Sequence, residues 1–63
     1  MYWIQYFCPR EAPFWQDLTE GLIFKTRREF PSLEGAKMVC NSLLYRFHSA
    51  RVIDPSGRPV YQI

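Results

Sequence analysis

Three side chains in this 63-residue chain have the chemistry of metal ligands, Cys8, Cys40 and His48, but no two of them stand at the short spacing that preorganises zinc. Nucleophilic or acid–base catalysis needs paired groups with separated environments. The chain offers one histidine, and it has no Walker loop, dinucleotide fingerprint or internal repeat. No catalytic residue, cofactor or metal site is therefore expected, and the protein reads as non-enzymatic. What remains is recognition chemistry. Lys25, Arg27 and Arg28 form the one cluster of like charge, suited either to phosphate contact or to a solvated strand end that discourages edge pairing. Tyr2, Trp3, Tyr6, Trp15 and Tyr61, with Arg27 and Arg51 around them, give the aromatic and arginine mixture found at the energetic centres of protein interfaces.

These residues need a scaffold, and the composition limits it to one small domain spanning 1–63. A chain of this length buries only about 60% of its unfolded surface. The hydrophobic share of 48%, with 17% aromatic, exceeds what one helix and one sheet face can hide, so aromatic surface is expected to be left over. A formal charge of +2 is too small to call for a polyanionic partner by itself. No apolar run approaches a membrane span, and the start MYWIQYFCPR lacks the basic opening of a secretion signal, so a cytoplasmic protein with no membrane partner is expected. Two widely spaced cysteines are expected as free thiols, Cys40 on an apolar helix face.

Residues 32–47, SLEGAKMVCNSLLYRF, carry the period of a helix. Leu33, Ala36, Val39, Cys40, Leu43, Leu44 and Phe47 share one face, and Ser32 stands where an N-cap belongs. His48 is then placed to complement the negative helix end. Met1 to Cys8 is dense in β-formers, with Tyr2, Ile4 and Tyr6 on one face and Trp3, Gln5 and Phe7 on the other. Residues 9–20 give no sustained period and read as a loop in which Phe14 and Trp15 close an open end of the core or, as the alternative, form an exposed aromatic binding loop. Residues 21–28, GLIFKTRR, read as a second strand.

The most legible local signal is Asp54-Pro55-Ser56-Gly57, a type I turn whose glycine supplies the left-handed residue of a bulged hairpin. It places Asp54 opposite Arg58, Val52 opposite Val60 and Arg51 opposite Tyr61. The helix opening Phe-x-Ser-Leu-Glu at Phe30 to Glu34, the Arg-Val-x-Asp-x-x-Gly run at Arg51 to Gly57 and the closing Val60-Tyr61 resemble the endings of short uncharacterised bacterial and phage proteins. That resemblance covers about half the chain and implies structure only, with no activity attached to any residue.

The expected architecture is α+β in ββαββ order, with one helix laid across one face of a small antiparallel sheet. The uncovered face, holding some of Tyr2, Trp3, Tyr6, Phe7 and Tyr61 with Trp15, Arg27 and Arg51, would bind a protein partner or a second copy of the chain. The alternative is single-stranded nucleic acid stacked on that face, with Lys25, Arg27 and Arg28 on its phosphates.

Overall fold

A computed structural model describes residues 1–43 and 46–63 and shows an α+β fold, one helix on a mostly antiparallel sheet. The elements run β1 (Tyr2–Phe7), β2 (Gln16–Asp17), β3 (Thr19–Glu20), β4 (Thr26–Arg27), β5 (Glu29–Phe30), α1 (Leu33–Ser42), β6 (Ser49–Ile53) and β7 (Pro59–Gln62). The C-terminal half follows the expected helix and hairpin. The N-terminal half departs from two plain strands, because everything between Gln16 and Phe30 is cut into four short pieces.

Strand β1 is the centre of the sheet. Along one edge it pairs with β6, Trp3 opposite Ile53 through Phe7 opposite Ser49, and β6 pairs onward with β7. Its other edge is shared. Tyr6 and Gln5 face Gln16 and Asp17 of β2, whereas Trp3 and Tyr2 face Glu29 and Phe30 of β5. Between them the Leu18 amide donates to the Ile4 carbonyl at 2.8 Å. Thus 16–18 and 29–30 form one interrupted edge strand, and the residues between leave the sheet as a hairpin. That hairpin pairs with itself, Thr19 with Arg27 and Glu20 with Thr26, and is closed at its neck by the Arg28 amide on the Leu18 carbonyl at 2.9 Å. GLIFKTRR is therefore not one strand. It is the turn and returning limb of a projecting arm.

Alternation along β1 and β6 decides the core. Ile4, Ala50 and Val52 point to the helix and pack with Phe30, Ala36, Cys40 and Leu43, all buried. Each buried large aliphatic in such a layer contributes about 1.5–3 kcal/mol. The helix starts as expected: Ser32 is extended, and its Oγ accepts from the Gly35 amide at 3.1 Å. It ends at Ser42, short of Phe47, and Leu44 of the expected stripe lies outside the described residues. Phe47 still joins the helix side by stacking on Tyr6 with ring centroids 4.1 Å apart. His48 stands beyond the helix end, exposed in the approach to β6, and no basic residue occupies the last turn of α1.

The hairpin turn is built as the sequence indicates. Asp54 Oδ1 accepts from the Ser56 amide, the Ser56 hydroxyl and the Arg58 amide at 2.9, 2.6 and 2.9 Å, and Gly57 has φ +88°. These hydrogen bonds favour the ionised form and hold the Asp54 carboxyl below the usual aspartate range, the Ser56 hydroxyl contributing most. The register slips beyond the turn. Ile53 faces Pro59, but Val52 faces Tyr61 and Arg51 faces Gln62, so Val60 is the extra residue of a bulge and is exposed. That slip turns Tyr61 to the helix side.

Candidate functional site

The sheet face away from the helix is organised by arginine. On β1, Gln5 is directly across from Arg51 of β6 and from Asp17 of β2. Arg51 donates to Gln5 Oε1 from Nε at 2.9 Å and Nη2 at 2.7 Å, and Gln5 Nε2 donates to Asp17 Oδ1 at 3.0 Å. The guanidinium also lies 4.2 Å from the Trp15 ring centroid, and Trp15 tilts against Phe7 with centroids 5.8 Å apart. At the other end of the face Arg27 sits 3.9 Å from the Trp3 centroid while pairing with Glu29 at 2.9 Å. Ile53, opposite Trp3, is buried although it belongs to no part of the helix-side core. The second face is therefore partly closed by the chain's own arginines stacked on its tryptophans, not left as bare aromatic surface.

The seven residues expected to share a binding face fall on two. Trp3, Trp15, Arg27 and Arg51 lie together on the outer face. Tyr2, Tyr6 and Tyr61 lie on the helix side, where Tyr2 and Tyr61 pack against the core and the Tyr61 hydroxyl donates to Asn41 Oδ1 at 2.6 Å. Tyr6 has its hydroxyl within 3.4 Å of Glu11 and Gln16, and burial, followed by the Glu11 charge, pushes its pKa up. The bulge at Val60 puts Tyr61 there, and Tyr2 and Tyr6 share the Ile4 face that the helix covers. Phe14 does not close the core either. It is 63% exposed, beside a half-buried Trp15.

The basic cluster is largely engaged. Arg27 is held by Glu29 and Trp3, and Arg28 stacks over Phe30 at 5.0 Å with Glu20 3.9 Å away. Lys25 alone of the three has no ion pair among the described residues. No group of three His, Cys, Asp or Glu side chains suited to a metal is found among the described residues, and Cys8 and Cys40 are free thiols, the latter buried and its pKa raised by that burial.

The largest departure from expectation is the tip of the arm. Leu22, Ile23 and Phe24 are 100%, 85% and 83% exposed, three consecutive large apolar side chains with nothing packed over them. Their display is specified by backbone geometry. Gly21 has φ +117°, and a Cβ there would lie 2.1 Å from the Phe24 carbonyl oxygen, so only glycine allows the chain to turn this tightly. A signal for the tip was present in the sequence, since three successive apolar residues after a glycine break the alternation of a half-buried strand. Among the described residues no helix is long and apolar enough to cross a membrane. Comparison with protein-family models, curated proteins and solved structures gave no match to this chain.

Proposed function

We propose that this chain is a non-enzymatic protein-interaction module that presents two adjoining surfaces, the outer sheet face of Trp3, Trp15, Arg27 and Arg51 and the apolar tip of the arm. The observation that carries this reading is the near-complete exposure of Leu22, Ile23 and Phe24 on a turn that Gly21 holds in shape. Folding gains nothing from three apolar side chains held in water, and isolated exposed apolar residues, not a contiguous run on a projection, are the ordinary condition of a monomer surface. The tip projects from a hairpin closed at its neck, the shape of an anchor that enters another protein's apolar surface. The arginine-capped tryptophans supply a polar, directional margin beside it.

The nucleic-acid reading has less support. Its phosphate ligand Arg27 pairs with Glu29, Arg28 has Glu20 3.9 Å away, and the tryptophans of its stacking platform carry Arg27 and Arg51 over their rings. Affinity capture with the wild-type chain and a Leu22→Ser/Ile23→Ser/Phe24→Ser variant, each with and without nuclease, tests the choice. Proteins retained by the wild type, lost with the triple variant and indifferent to nuclease support the module. Retention that disappears with nuclease supports nucleic acid instead.

A further inference from the structure

We infer that the occupant of this surface is a second copy of the chain, in a two-fold dimer that exchanges arms; the inference rests on the protein-interaction reading and names its partner. Each tip would cover the other copy's Phe7–Phe14–Trp15 patch, with Lys25 meeting Asp17. Three observations lead there.

The first is area. Leu22, Ile23 and Phe24 at their observed exposures present roughly 450 Å². One tip docked on one surface falls short of the roughly 800 Å² per partner that specific complexes bury. A two-fold pairing gives each copy one tip and one receiving patch, the patch adding at most about 300 Å² at its exposures, so each side comes to roughly 700 Å², within the range of about 600–1,000 Å² per partner of a standard complex. Such reciprocity, residue i on j and j on i, is what an isologous dimer requires.

The second is that the chain carries a matching receiver. Phe14 is 63% exposed and next in the chain to the half-buried Trp15, which tilts on Phe7, so an exposed aromatic adjoins the arginine-capped outer face. It lies along the same edge of β1 as the neck of the arm. The neck bonds Ile4 and the patch includes Phe7, three residues or roughly 10 Å apart. An arm of four residues per limb is about 13 Å long, more than the distance between neck and patch. It is therefore long enough to meet the patch of a neighbour whose edge lies antiparallel beside it.

The third is charge. Lys25, next to the tip, has no ion pair among the described residues. Asp17 follows Trp15 by two residues on the same face and, among the described residues, its side chain accepts only a neutral amide hydrogen bond from Gln5. The arginine nearest the patch, Arg51, is committed to Gln5 and Trp15. An ammonium beside the apolar tip and a carboxylate beside the apolar patch give the exchange a fixed direction.

Sedimentation equilibrium of the purified chain from micromolar to millimolar concentration tests this. A dimer is expected, with Phe24→Ser raising its dissociation constant at least about 100-fold, since both tips are lost at once. Lys25→Glu and Asp17→Lys should each weaken it about tenfold, and the double variant should recover most of that loss. Circular dichroism confirms that each variant is folded. A wild-type monomer throughout, a dimer indifferent to Phe24→Ser, or a charge swap that fails to recover affinity each overturns the arm exchange. Vesicles of phosphatidylserine and phosphatidylcholine complete the set: a monomer that sediments with them through its tip would make lipid the occupant. If the chain is monomeric yet captures proteins through its tip, the dimer falls while the interaction module stands.

Discussion

Replacing Arg51 by Met keeps an unbranched apolar stem and much of its packing while removing the guanidinium from the centre of the outer face. Two hydrogen bonds to Gln5 Oε1 and a stack on Trp15 at 4.2 Å are lost together. A hydrogen bond with one charged partner contributes about 1.5–3 kcal/mol net, and here two donors share one acceptor, so the pair counts as little more than one. The half-exposed cation–π contact adds about 0.5–1 kcal/mol. Methionine recovers part of this by packing its thioether on Trp15. A loss of about 2 kcal/mol is expected. In a domain this small, where about 1 kcal/mol moves the melting temperature by 4–8 °C, that corresponds to a drop of roughly 8–16 °C. Urea denaturation followed by tryptophan fluorescence measures it directly, and Trp15 emission should shift to the red as its ring loses cover. Repeating the change in a Gln5→Ala background should reveal a coupling of at least about 1 kcal/mol between the two positions. If Arg51→Met leaves the denaturation midpoint unchanged, the outer face is not held by arginine.

Gly57→Val should destabilise the C-terminal hairpin by about 1–2 kcal/mol, because φ is +88° there while a Cβ meets no atom within 4 Å; a thermal melt equal to the parent's would remove backbone strain as the reason. Asp54 has its folded pKa lowered, so its stabilisation is present at pH above the ordinary aspartate value and is lost as pH falls below about 4 towards the folded pKa. Melting temperature against pH should show this acid slope in the wild type and a flatter one in Asp54→Asn. Cys8 should be alkylated in the native protein and Cys40 only on unfolding, since Cys40 is fully buried with a raised pKa; mass spectrometry after brief iodoacetamide treatment should find a single modification, at Cys8.

The parts legible in the sequence were those governed by local rules. Ser32 as a cap, the stripe through Ala36, Cys40 and Leu43 and the turn at Asp54 to Gly57 each follow from a few neighbouring residues, and the structure has all of them. What escaped was set by pairing at a distance. Nothing within residues 16–30 says that both ends return to the same edge of β1, so their strand propensity read as one continuous strand. The bulge at Val60 is a single unpaired residue, yet it carried Tyr61 from the expected outer face to the helix side. On the candidate site, arginine and tryptophan were legible as a set, but which arginine covers which ring depends on cross-strand register.

The neck formed by Leu18 and Arg28 separates two inheritances in this chain. Leu18 pairs at the level of Ile4 and Glu29 at the level of Trp3, consecutive rungs of the same ladder, so removing residues 19–28 would join them without shifting any other pairing. A segment that enters and leaves a ladder at adjacent rungs can lengthen, shorten or change its tip while the cooperative unit beneath keeps its register. The sheet and helix are thus free to be conserved for folding while the arm drifts under selection for what it touches.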